Sequence, residues 1–222
     1  MSDKGGNRGD TRLYKVIAFF VIIVVFIGMI FSGPKFIPAY VNDYVITDGW
    51  IENPVKRENG SQLLGLEKWS SFTYEIDGRY PSYLTVTTIK SLVMMNEEDL
   101  KEKTQGSIAK AELNGIVLDN GSEISGRRVL YNKHETIYVV YDGADNSTNP
   151  SEKIKIIGEV WNCPMSGTSV ICIGVSQITD NANGNTTFNT TNWERIVGDE
   201  EGTFGLGEMQ TTNGLIYNVV CH

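Results

Sequence analysis

The side chains of this 222-residue chain best suited to chemistry are few: three cysteines, Cys163, Cys172 and Cys221, and two histidines, His134 and His222. Thiolates and imidazoles make nucleophiles and zinc sites, so their spacing decides what they can do. Three cysteines are too few for a disulfide scaffold and are spaced wrongly for a zinc site, so no metal and no cofactor is expected. A Cys221/His134 nucleophile pair is compatible with the spacing, but nothing around either residue marks an activated thiol. His134 follows Asn132-Lys133 and reads as a solvated turn residue.

Two oxygen-rich loops invite a cation. In Asp180-Asn181-Ala182-Asn183-Gly184-Asn185, setting Gly184 at the invariant glycine of a calcium loop puts Thr179 at the first ligand position and Thr190 at the last. The bidentate glutamate that such a loop needs is missing, and the stretch reads as a polar loop. Asp142, Asp145 and Asn146 form a second acidic loop with no ligand pattern of its own. G-x-S-x-G and P-loop motifs are absent from the chain, as is a G-x-G-x-x-G opening a helix. Glu97-Glu98 and Asp199-Glu200-Glu201 suit a helix start and solvated charge better than an acid/base pair. A non-enzymatic protein is expected, with a hydrolase built on an unrecognised carboxylate site as the alternative.

What positions these residues is decided first by Val16 to Phe31, sixteen apolar or glycine residues in a row. As a helix this run is about 24 Å long, and the flanking Leu13, Tyr14, Phe36 and Ile37 extend it towards the ~30 Å of a bilayer core. Lys4, Arg8, Arg12 and Lys15 precede it and only Lys35 follows closely, so the N-terminus belongs in the cytoplasm. The expected organisation is a cytoplasmic tail over 1–15, a transmembrane helix over 16–33, a juxtamembrane connector over 34–70 and an extracytoplasmic domain over 71–222. A cleaved signal peptide, giving a secreted protein, is the rival, but the run exceeds the usual 7–15 residues and lacks an A-x-A-like site. Within the run, Gly28 and Ser32 make a small-xxx-small pair suited to close helix packing.

The chain carries 19 basic and 27 acidic side chains. Setting aside the four basic and two acidic residues of 1–15 leaves 15 against 25, a net charge of −10 on the remainder. Nucleic acid is therefore not an expected partner. Sequons at Asn59, Asn120, Asn146, Asn185 and Asn189 all fall in polar, turn-like stretches and suit glycosylation outside the cell. In Lys35–Pro54, Tyr40, Tyr44 and Trp50 fit an interfacial aromatic belt, and they fit a first strand of the domain equally well.

From Ser71 the pattern alternates as strands do. Phe72–Ile76 and Tyr83–Ile89 flank the turn Asp77-Gly78. Glu97–Leu113 is predicted as the one long helix, capped by Asn96, with Met95 and Leu100 as a hydrophobic staple. Leu100, Thr104, Ile108 and Ala111 form its apolar face. Ile116–Leu118 and Glu123–Tyr131 flank Asp119-Asn120-Gly121, which reads as a hairpin. Thr136–Asp142 is apolar on both faces and reads as central. Lys153–Trp161 and Ser169–Ile178 pair across a turn at Pro164–Thr168, Asn192–Val197 opens a short helix, and Leu215–Val220 is a last strand. Seven or eight strands joined by tight turns, with one or two helices, predict an α+β fold with a mainly antiparallel sheet.

If that hairpin folds symmetrically about Gly167 and Thr168, Cys163 and Cys172 become cross-strand neighbours within disulfide range. A Cys163–Cys172 disulfide is therefore expected. Three buried thiols, or a Cys163–Cys221 bond, are the alternatives.

The succession YLTVTTIKS, NEEDL opening the helix, SGR-x-V, TIYVVYD, the KIKIIGEVW/SVICIGVSQI hairpin and NWERIV resembles the PsbP-like α/β/α sandwich over residues 72–198. That resemblance implies an extracytoplasmic, largely non-catalytic accessory subunit of a membrane complex, and it carries over no functional residue. The chain thus reads as a single-pass membrane protein whose external domain binds or supports a membrane-protein partner or a second copy of itself.

Overall fold

The structure is a computed structural model that describes residues 35–62, 66–112, 115–148, 150–181, 185–198, 204 and 213–222. The apolar run 16–31, with Gly28 and Ser32, lies outside the described residues, as does the rest of 1–34. No helix among the described residues is long and apolar enough to cross a membrane. Residues 36–222 form one compact unit.

Its strands are β1 (Tyr40–Val41), β2 (Ile51–Glu52), β3 (Glu58–Gln62), β4 (Glu67–Ile76), β5 (Ser82–Lys90), β6 (Ile116–Val129), β7 (Glu135–Asp145), β8 (Glu152–Cys163), β9 (Thr168–Gln177), β10 (Thr179–Asp180), β11 (Thr187–Phe188) and β12 (Val219–Val220). The helices are α1 (Glu97–Glu112) and α2 (Thr191–Val197). Eight strands make the main sheet in the order β2-β4-β5-β9-β8-β7-β6, with β3 also on β4. Every pairing is antiparallel. The mainly antiparallel α+β class expected from the pattern is what forms.

Strand β8 is buried almost throughout because layers cover both faces of the sheet. Ile154, Ile156 and Val160 point to α1, where Leu100 and Ile108 meet them. Ile157, Trp161 and Cys163 point the other way, against Trp193, Ile196 and Val197 of α2 and against Leu215, Ile216 and Tyr217. Two glycines let the helices approach. A Cβ at Gly158 would overlap Thr104 Cγ2 and come within 3.0 Å of Ile108 Cδ1, and one at Gly174 would fall 2.5 Å from Ile196 Cγ2. α1 begins as predicted, with the Asn96 carboxamide accepting from the Asp99 N–H at 2.9 Å and Met95 packed beside Leu100.

Four expectations change. Residues 116–129 are one edge strand, not a hairpin: both halves pair with β7, and the register shifts between Asp119 and Ile124. Asp119 and Ser122 satisfy the bulge locally, since Gly121 N–H donates to Asp119 Oδ1 and the Asp142 N–H donates to Ser122 Oγ. The β8–β9 turn is tighter than expected. Gly167, at φ +64°, donates its N–H to Cys163 O at 2.9 Å, so Cys163 faces Thr168 and Glu159 faces Cys172. The stretch read as a connector contributes β1, β2 and β3, with Val41, Val45 and Trp50 buried in the core. Finally, the predicted last strand is a 3-10 turn over Ile216–Asn218 followed by β12, which pairs with β1.

Candidate functional site

Antiparallel pairing places the β6–β7 turn and the end of β8 at the same end of the sheet, where the C-terminal residues 219–222 also arrive. The turn is held by Leu130 N–H donating to His134 O at 3.0 Å and Lys133 N–H to Leu130 O at 2.9 Å, with Lys133 at φ +66°. A lysine in the left-handed region costs backbone energy, and here it turns His134 back towards the sheet. The Asn132 side chain ties the turn to the chain's end: it accepts from His134 N–H and donates to Val219 O at 2.9 Å. His134 is therefore not a solvated turn residue. Its ring stacks on buried Trp161 with centroids 6.4 Å apart and meets His222 edge-on at 5.6 Å.

Around it four donor atoms converge: His134 Nε2, Cys163 Sγ, Cys221 Sγ and His222 Nδ1 all lie within 4.8 Å of one another. Cys221 Sγ is 3.1 Å from His134 Nε2 and 3.7 Å from His222 Nδ1, and Cys163 Sγ is 3.5 Å from His222 Nδ1. Both histidines of the chain and two of its three cysteines meet here. The sequence allowed the pairs Cys221/His134 and Cys163/Cys221 separately, but spacing could not bring all four together, because their meeting depends on which strands pair.

The two thiols are buried, while His222 stays exposed at the rim. Burial first, then hydrogen bonding to Cys163, pushes the Cys221 thiol up to about 12. Burial, and then the neighbouring His222, lower the pKa of His134. Cys221 and His134 are within hydrogen-bond reach, as a nucleophile and its base must be. A nucleophilic thiol needs access and an easily formed thiolate, however, and Cys221 is only 1% exposed. The arrangement suits holding a metal ion, or closing a Cys163–Cys221 bond, better than attack on a substrate.

The expected Cys163–Cys172 disulfide does not form. The three cysteines are free thiols, and the shifted register removes the facing pair on which that expectation rested. Cys172 instead faces Glu159, where burial first and that carboxylate second raise its pKa well above the usual thiol range.

Glu159 is the second polar feature missed in the sequence. It is fully buried and accepts from Arg128 Nε at 2.9 Å, Arg128 Nη2 at 2.5 Å and Thr136 Oγ1 at 2.6 Å. The same guanidinium donates to Gly198 O and lies 4.9 Å from the Phe204 ring centroid. One acid in the otherwise apolar run IIGEVW was the available signal.

The oxygen-rich loops are satisfied from within. Asp142 pairs with Lys155 at 2.7 Å, Asp145 accepts from Ser147, and Asp180 pairs with Arg79. Asn146 is exposed and so are the other sequon residues, Asn59, Asn120, Asn185 and Asn189. Comparison of the chain with family models, with characterised proteins and with solved structures finds no match.

Proposed function

We propose that the chain is a single-pass membrane-anchored accessory protein whose extracytoplasmic α+β domain docks onto a membrane protein. The observation that carries the reading is the edge strand β6. Fourteen residues long, it is bordered by β7 on one side and by no other strand among the described residues. Its Val117, Ile124 and Val129, with Tyr131 just beyond, are exposed, Ile124 by 60%. A long edge with free backbone groups and apolar side chains is a template for strand addition by another chain. The apolar run 16–31 supports an anchor, which raises the domain's local concentration at a membrane neighbour so that modest contacts suffice. The exposed sequon residues and the acidic surface suit an extracytoplasmic domain without nucleic-acid partners.

The test uses the full chain in its native membrane. Protease added to intact cells should remove a C-terminal epitope and spare an N-terminal one. The proteins that co-purify in mild detergent should be lost from the Val117→Lys/Ile124→Lys variant and reduced by Gly28→Leu, which blocks close helix approach while keeping the anchor apolar. Co-purification unchanged by both variants, or protection of the C-terminus, refutes the reading.

A further inference from the structure

We propose that His134, Cys163, Cys221 and His222 form a closed Cys2His2 site for one zinc ion, which clips the C-terminal segment onto the end of the sheet. In a tetrahedral zinc site, bond lengths of about 2.3 Å to sulfur and 2.0–2.1 Å to nitrogen put the donor atoms roughly 3.3–3.8 Å apart. Of the three close sulfur–nitrogen separations, 3.5 and 3.7 Å fall in that range and 3.1 Å is just shorter, and all four donor atoms lie within 4.8 Å of one another. Two thiolates and two imidazoles are the ligand set of a borderline-soft divalent ion and do not suit calcium or magnesium. All four positions are filled by protein, so no place is left for water or substrate, and the site is structural rather than catalytic. Binding converts two thiols to thiolates and releases two protons to solvent, leaving a neutral centre.

The supporting shell points the same way. Trp161 is buried, and its indole N–H has no nitrogen or oxygen acceptor among the described residues. The His134 ring stacks on this same indole, centroids 6.4 Å apart. Asn132 fixes the backbone of His134 and the strand that delivers Cys221 with one carboxamide, as groups outside the ligand shell do when they orient ligands. The zinc has mechanical work to do here. β12 is two residues long and among the described residues pairs only with two-residue β1, yet the segment before it carries Leu215, Ile216 and Tyr217 into the core. The rival arrangement, a Cys163–Cys221 disulfide, would make the same clip but gives the two imidazoles no task.

The experiment uses the untagged full chain, reduced and purified in detergent. Metal analysis should find one zinc per chain after incubation with zinc and dialysis. Cobalt should give the visible bands of a tetrahedral ion together with sulfur-to-cobalt charge transfer. Cys172→Ser should keep the metal, and His134→Asn/His222→Asn, checked for folding by circular dichroism, should lose it. Chelation should lower the thermal midpoint of the wild-type chain and leave that of the double variant unmoved. Should the double variant fail to fold, the cobalt spectrum of the wild-type chain decides alone: an octahedral spectrum, or none, overturns the site. It is equally overturned by zinc uptake that the folded double variant retains, by no uptake in the reduced folded chain, or by recovery of residues 163 and 221 as a disulfide from protein prepared without oxidant.

Discussion

Replacing Arg128 with methionine should be among the most damaging single substitutions in the domain. The guanidinium is 4% exposed and the Glu159 carboxylate fully buried, and they share two hydrogen bonds in a parallel fork. Methionine fills most of the volume but leaves Glu159 with Thr136 as its one remaining donor among the described residues and strips the Gly198 carbonyl of its Arg128 donor. Breaking a buried pair by removing one partner costs about 3–5 kcal/mol, since the surviving charge keeps its desolvation penalty. For a domain of this size each kcal/mol is worth about 2–4 °C, so the thermal midpoint should fall by about 6–20 °C. Arg128→Met/Glu159→Leu should recover most of the loss, because apolar replacement of both partners removes the penalty with the pair, and Thr136 keeps its bond to Arg128 O. The exposed pair Arg57–Glu52, at 49% and 28% side-chain exposure, supplies the contrast: Arg57→Met should cost at most ~1 kcal/mol. Melting of the full chain in detergent, followed by circular dichroism, reads all four proteins. A loss below about 1 kcal/mol for Arg128→Met, or a double variant no better than the single one, would show that Glu159 is not held as a buried, paired carboxylate.

Two further substitutions probe the layers and the sheet's outer strands. Gly158→Ala should cost about 1–3 kcal/mol, because its Cβ meets Thr104 and Ile108 of α1 and a packed interface cannot yield cheaply; an unchanged melt would mean that α1 sits farther from β8. Tyr141 donates to Glu123 Oε2 at 2.8 Å, and burial first, then that bond, raises its pKa from 10.0 to about 12. A phenol whose pKa rises on folding stabilises the fold below its unfolded value and loses that contribution as pH climbs through the folded one. Tyr141→Phe should therefore cost about 1 kcal/mol at neutral pH, and its difference from the parent should shrink above pH 10 and vanish towards pH 12; a difference that stays constant over that range refutes the assignment.

Local rules made much of this architecture readable before any tertiary contact was known. Asn96 caps α1 because a side-chain acceptor satisfies a free N–H within three residues. Leu100, Thr104 and Ile108 share a face because a helix turns every 3.6 residues, the period of two marks β4, β5 and β8, and a run apolar on both faces marks β7. Pairing was harder to read. Asp119-Asn120-Gly121 has the composition of a hairpin turn, yet β7 is long enough to take both halves of β6, so the same residues become a bulge. Symmetry about Gly167 and Thr168 suggested one register for β8 and β9, but Gly167 closing onto Cys163 O set another. That shift, which moves the partner of Cys163 by four positions from Cys172 to Thr168, removes one candidate cysteine pair. The meeting of His134 with Cys163, Cys221 and His222, and of Arg128 with Glu159, depends on strand order across the sheet. No period or spacing encodes that order, because it is chosen by the burial of whole faces: α1 on one side, α2 and the chain's last segment on the other.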